Sequence, residues 1–459
     1  MRRLMQAGEG LFARVCAHSL TRPVLLVGTV TVMVKGIAAA KDIALAGIFG
    51  RGDELEVFLI ALLLPATLAS IIADAFALAI ATPLTRLLRT GGVQRREACA
   101  FLGAMTSFAI GVLLVVSVLL WVAAPFLVPA LASGFSPSMQ DLTIWAMRLL
   151  VLTIGVTGLA GLWTAVLAVS NRLGMASAAP VAGPVVMLIF LFIYQTDATT
   201  TNLVQASIVG ASVQAVVTAW AVWRARLLNW PRLGRMADNL RQVLSQYGYV
   251  VSASSVMALT VIVDMSMAAM LGPGNVAALS FGGKATAFVI STAISALGII
   301  ILPHFARVVS SSEMHEVSMA SLLRQVRWSL RWVFALGSLT AVLLIVAAKP
   351  LIVLLLERGN FTGGDTVIVV SVHQMFALQI PFLLMALIIT RALSAVHANH
   401  VLAVVAVLNV VVNVILNYVF SRYMGVSGLA LSTACVAALS CALYYLSLRR
   451  LIDREMAVS

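Results

Sequence analysis

Five basic side chains, Lys35, Lys41, Arg148, Lys284 and Lys349, interrupt stretches of the chain that are otherwise apolar, and carboxylates join them at Asp42, Asp74 and Asp264. A charge at the centre of a bilayer costs roughly 2.5 to 3.5 kcal/mol on insertion scales, so such a residue needs a partner or a polar path. Lys35 sits near the middle of PVLLVGTVTVMVKGIAAAKDIALAGIFG. Lys284 lies about eight residues, or roughly 12 Å, into VAALSFGGKATAFVISTAISALGIIILP, behind Gly282 and Gly283, which read as points where that helix exposes backbone and bends. Two chemistries compete. One is internal pairing, Lys35 with Asp42 or Asp74 and Lys284 with Asp264, as glue between helices. The other is a cationic lining that receives an anionic headgroup, for which a compact ammonium suits a diphosphate. The second is the stronger reading for Lys35 and Lys284. Arg148 divides evenly between lining a cavity and reaching for the surface, and Lys349 reads as an anchor near a helix end.

Other polar residues are weaker candidates. Asn409, Asn413 and Asn417 recur every four residues on one helix face, where they either line a pathway or bond helix to helix. His373 is a proton site or a packing histidine. Cys16, Cys99, Cys435 and Cys441 have no metal-site or disulfide spacing and read as structural. No acid, base or metal cluster stands beside an open aqueous loop, which disfavours a membrane glycosyltransferase, ligase or polymerase, so no enzyme is expected.

The elements that must position these residues are helices in lipid. Apolar residues make up 61% of the chain, charged residues 10%, and mean hydropathy is +1.05. So few charges cannot cover a water-soluble core of this size. Twelve spans are expected near 24–47, 56–81, 98–124, 142–168, 173–195, 202–223, 247–271, 276–302, 329–356, 366–390, 400–420 and 426–447. The N-terminal segment has a long basic lead and no small-residue cleavage site, so it is read as retained. The net charge of +13 is spread in small basic clusters between spans, which argues against nucleic acid. Of the 30 Lys and Arg, only Arg51, Arg358 and Arg422 fall on the side opposite the N-terminus, apart from the five inside spans. The positive-inside rule then places both termini in the cytoplasm. The expected organisation is a cytoplasmic segment 1–23, a six-helix lobe 24–223, a basic linker 224–246 along the inner leaflet, a second six-helix lobe 247–447 and a tail 448–459. Six spans in each half suggest parallel repeats with the substrate path between them.

Several short motifs, taken in order, resemble the MurJ/MviN flippase family. Lys41-Asp42-Ile43-Ala44 with Ile48-Phe49-Gly50-Arg51-Gly52 is similar to the first-helix signature, and Asn171-Arg172 with Ala179-Pro180 to the junction of helices 4 and 5. Ile301-Leu302-Pro303 resembles the end of helix 8, and Glu357-Arg358-Gly359-Asn360-Phe361-Thr362-Gly363-Gly364-Asp365 the turn after helix 9. The Asn409/Asn413 spacing and Gly425-Val426-Ser427-Gly428-Leu429-Ala430 fit the segments beyond.

The resemblance implies an all-α polytopic protein of two six-helix lobes around a central cavity, working by alternating access as a monomer. It implies that Lys35, Lys41 and Lys284 contact the diphosphate of an undecaprenyl-diphosphate-linked saccharide, and that Asp74 matches an acidic position of helix 2. A cationic helix 2 position of the family falls on Ala69, and the chain ends after span 12 where two further helices are usual. Both departures favour an exopolysaccharide repeat unit as an alternative cargo to lipid II. A multidrug antiporter of the same superfamily is the remaining rival, although its cationic drugs would favour an acidic cavity. No cofactor is expected. A coupling cation, sodium or proton, or the membrane potential is the expected source of drive.

Overall fold

The computed structural model describes residues 21–89, 93–170, 172–227, 255–256, 258–310, 315–396 and 398–458. Segment 1–20 and most of the 224–246 linker therefore lie outside the described residues. No strand occurs among the described residues. The helices are α1 (Thr21–Phe49), α2 (Asp53–Arg89), α3 (Val93–Leu131), α4 (Pro137–Leu150), α5 (Leu152–Val169), α6 (Leu173–Ala178), α7 (Ala182–Ile193) and α8 (Thr200–Arg224). They continue as α9 (Ala258–Met270), α10 (Asn275–Ser310), α11 (His315–Val346), α12 (Ala348–Leu356), α13 (Gly363–Ala377), α14 (Ile380–Ala395), α15 (Asn399–Met424) and α16 (Val426–Val458).

Ten helical stretches among the described residues are long and apolar enough to cross a membrane. Of the two expected spans outside that group, the first forms α1, which carries Lys35, Lys41 and Asp42, and the seventh is described only in part, as α9. Four expected spans consist of paired helices, broken at Val151, at the 3-10 turn Ala179–Val181, at Ala347 and at Leu378–Gln379. Several helices outrun the expected spans, because hydropathy reports the bilayer's thickness and not where helical hydrogen bonding stops. Thus α10 continues through Pro303 to Ser310, and α11 begins at His315.

The chain divides into two compact units that do not follow the halves of the sequence. One comprises residues 1–44, 64–124 and 145–251, and the other 45–63, 125–144 and 252–459. In α2 and α3 the crossing from one to the other falls beside Pro65 and Pro125, where proline removes a helical hydrogen bond. The first unit packs α5 and α7 against α8. A Cβ on Gly161 would lie 2.4 Å from the Ala73 Cβ, so that position needs glycine for the helices to approach, and one on Gly158 would lie 2.4 Å from the Leu113 side chain, which would have to shift. In the second unit α16 packs against α13, α14 and α15. Its core includes Val326 and Leu330 of α11, Ile389 and Leu393 of α14, and Leu448 and Ile452 of α16.

Candidate functional site

Polar chemistry gathers at two places in the second unit. The first is a clasp built from loop ends. Glu56, one turn into α2, is fully buried. Its Oε2 accepts from the Gly274 N–H at 2.8 Å, and its Oε1 from Val276 at 2.7 Å and Ala277 at 3.1 Å. These are the first amides of α10, which have no partners within their own helix, and an anion suits that positive helix end. Arg51 donates Nε–H to the Gly274 carbonyl at 2.8 Å and pairs through Nη1 with Asp365 Oδ1 at 3.3 Å. Asp365 in turn closes a capping box at the start of α13, its Oδ2 accepting from Thr362 N at 2.8 Å.

Two tight turns interlock beside these contacts. Asn360 donates its backbone N–H to the Gly47 carbonyl at 2.8 Å and its side-chain Nδ2–H to the Ile48 carbonyl at 2.6 Å. Gly50 and Gly359 have φ of +55° and +58°, and any Cβ would fall 2.5 Å from Asn360 O and 2.2 Å from Gly47 O, respectively. Phe361 fills the space behind, stacked edge-on against Phe281 at 6.0 Å between centroids. The motifs Ile48-Phe49-Gly50-Arg51-Gly52 and Arg358-Gly359-Asn360-Phe361, 312 residues apart from Ile48 to Asn360, are thus the two sides of one contact.

The second place is a buried carboxylate. Asp264 of α9 accepts at Oδ1 from Asn413 Nδ2 at 3.1 Å and Asn417 Nδ2 at 2.6 Å, and at Oδ2 from Thr433 Oγ1 at 3.2 Å. Asn417 also donates to Asn413 Oδ1 at 3.2 Å. The Asn417 Oδ1 atom is buried with no hydrogen-bond partner. The helical spacing of Asn413 and Asn417 therefore serves helix-to-helix bonding around Asp264. Asn409 accepts from Ser440 Oγ at 2.9 Å.

The basic candidates differ in their surroundings. Lys41 Nζ pairs with Asp42 Oδ1 at 3.0 Å in the first unit. The Arg148 guanidinium lies 4.7 Å from the Trp121 ring centroid, with Nε buried and unpartnered by hydrogen bonds. Lys35 is half-buried on α1, Lys284 is exposed on α10, and Asp74 is exposed on α2. His373 is buried, and its Nδ1 lies 3.0 Å from the Gly282 carbonyl, joining α13 to α10. That contact corrects the reading of Gly282 as a flexible point. A Cβ there would lie 2.5 Å from Val372, so the glycine is a close-packing position.

Sequence reasoning missed Glu56, which it treated as the edge of a span, and left Arg51 in a loop. The available signal was the turn Gly272-Pro273-Gly274 before α10, which supplies no acidic cap of its own.

The chain is similar to known proteins over most of its length. The family model described as "Lipid II flippase MurJ" matches residues 45–456. The lipid II flippase MurJ of Burkholderia cenocepacia is 25% identical over 442 residues, covering 94% of this chain and 84% of the relative. The probable lipid II flippase MurJ of Vibrio cholerae is 22% identical over 450 residues, covering 95% and 84%. Among solved structures, an inward closed conformation of lipid II flippase MurJ superposes with a TM-score of 0.72 at 17% identity, covering 93% of this chain and 87% of that one. An inward-facing multidrug resistance MATE transporter gives 0.70 at 14% identity, covering 94% and 98%. At such identities these superpositions establish the shared transporter fold.

Proposed function

Because the chain belongs to the lipid II flippase MurJ family, we propose that it carries an undecaprenyl-diphosphate-linked saccharide, lipid II first among them, from the inner to the outer leaflet of a bacterial inner membrane. The family match over residues 45–456 carries this reading. Both termini face the cytoplasm, and the protein acts as a monomer through noncovalent contacts alone. The saccharide and diphosphate pay a large cost on entering hydrocarbon, so the carrier's task is to replace water around the anion. Lys35 and Lys284 supply the compensating charges. Lys41, half-neutralised by Asp42, adjusts the field around Lys35. Arg148, held against Trp121, is a further contact for the anion.

An outward-positive potential favours moving an anion outward by about 2.3 kcal/mol per charge per 100 mV, and a coupled cation moving inward adds to that drive. Asp264 is its site in this reading. The carboxylate, the Thr433 Oγ1 and the unpartnered Asn417 Oδ1 are oxygens of the kind a hard monovalent ion takes, and Asn413 Oδ1, which accepts from Asn417 Nδ2, is a fourth. Asp42 and Asp74 balance the cationic residues of the first unit. The clasp is released once per cycle. Its hydrogen bonds are polar and few, so water can replace them when the loop ends part.

The test is replacement of a host's own lipid II flippase by this chain. Outer-leaflet lipid II is then measured by its cleavage with an impermeant lipid II hydrolase. Restored cleavage and growth are expected. Surviving exopolysaccharide export with no cleavable lipid II would overturn the assignment of cargo.

A further inference from the structure

Thr106, Thr143, Thr164, Thr292 and Thr340, each inside a helix, donate their hydroxyl hydrogen to the carbonyl four residues back, at 2.7 to 2.9 Å. Thr286 of α10 departs from that pattern. It is fully buried, and its Oγ1 has no hydrogen-bond partner. The carbonyl four residues before it belongs to Gly282, and that oxygen is already taken. A carbonyl has two lone pairs, of which the helix uses one for the Thr286 N–H. The other meets His373 Nδ1 of α13 at 3.0 Å. A carbonyl only accepts, so Nδ1 carries the hydrogen, while the ring's second nitrogen, Nε2, is buried with no partner. One hydrogen bond therefore holds the imidazole, and a second donor for the same oxygen stands unused one turn along the helix.

This contact lies beside Lys284. Val372 and Phe376 of α13 close on Gly282 and Gly283, where a Cβ would lie 2.5 Å and 3.4 Å from their side chains. Lys284 follows Gly282 by two residues, about 200° round the helix, and is exposed. Fixing Gly282 against α13 thus fixes the direction in which Lys284 points. We propose that His373 is a positioning residue for Lys284, and that Thr286 is the alternate donor that takes the Gly282 carbonyl when α10 moves off α13. The exchange gives α10 two bonded states, and in neither is that lone pair left bare. The inference rests on the reading of Lys284 as a contact for the diphosphate.

The test uses the full chain in vesicles, with a fluorescent lipid II analogue as the probe and flipping measured against its mole fraction. Thr286→Val keeps shape and removes only the alternate donor. At the net worth of one hydrogen bond it should lower the maximal rate about fivefold without raising the half-saturating mole fraction. Its Tm should be no lower, because the lost hydroxyl makes no bond in the structure. His373→Leu should raise the half-saturating fraction by about fivefold on the same basis. His373→Asn, whose Nδ2–H takes the place of the imidazole Nδ1–H, should restore most of that loss. An unchanged maximal rate in Thr286→Val would overturn the exchange. Equal half-saturation in the Leu and Asn variants would overturn the positioning role. Lys284→Gln flipping as the unmodified protein does would instead overturn the reading of Lys284, so the failures are distinguishable.

Discussion

Glu56→Gln isolates the clasp by removing a charge while keeping shape. In the native arrangement one carboxylate caps three amides at the start of α10. The amide retains one acceptor oxygen and places an NH2 where Oε2 or Oε1 had accepted, so at least one buried N–H faces a donor. Losing a hydrogen bond to a charged group costs about 1.5 to 3 kcal/mol. The anion's favourable interaction with the helix end adds up to about 2 kcal/mol in a buried setting. A net loss of about 3 kcal/mol shifts the equilibrium between clasped and released loop ends by roughly 150-fold. The readout is the labelling rate of Ala277→Cys by a polar maleimide in nanodiscs, in a background with the four native cysteines replaced. Ala277 is fully buried in the clasped arrangement, so labelling requires release. Glu56→Gln should raise that rate by at least about tenfold, with unchanged yield in the membrane. An unchanged labelling rate with an unchanged Tm would refute the assignment of the clasp's strength to Glu56.

Gly359→Ala combines a left-handed backbone with a Cβ 2.2 Å from Gly47 O. The conformation alone costs about 1 to 2 kcal/mol, and the clash adds to it, so a clear fall in Tm is expected by fluorescence-detected unfolding. Gly425→Ala shares the positive φ but meets nothing within 4 Å, and should lose only the conformational part in the same assay. A double-mutant cycle on Arg51→Ala and Asp365→Ala should give a coupling of about 1 kcal/mol, since the pair is largely but not wholly buried. Additive changes in Tm would show that the pair does not act together. Lys284→Gln removes one charged contact to the anion and should lower flipping by roughly 10- to 150-fold at equal expression, with Lys284→Arg restoring much of it.

Hydropathy made the helical membrane fold legible because lipid imposes it on almost every residue of a span. Lys35, Lys284 and Asp264 stood out for the same reason, as charges in apolar runs. The identity of their neighbours did not follow. Asp264 faces two asparagines and a threonine about 150 or more positions away, a separation no periodicity reports. The asparagine spacing showed that one face of α15 was polar, but not what it met. Glu56 was hidden because its partners are backbone amides, which every residue carries. Gly282 read as flexible because a glycine's local freedom is visible in sequence and the side chain packed against it is not. The crossing of α2 and α3 between units beside Pro65 and Pro125 likewise depends on tertiary contacts.

The central claim, that this chain moves a diphosphate-linked lipid through cationic residues, is tested most directly in vesicles of purified protein. A fluorescent lipid II analogue placed on one leaflet is followed by its reduction with impermeant dithionite. The account predicts protein-dependent exposure of the analogue that falls at least about tenfold in Lys284→Gln and is absent for a neutral prenyl saccharide lacking the diphosphate. Exposure no faster than in protein-free vesicles, or equal for the neutral analogue, would contradict it.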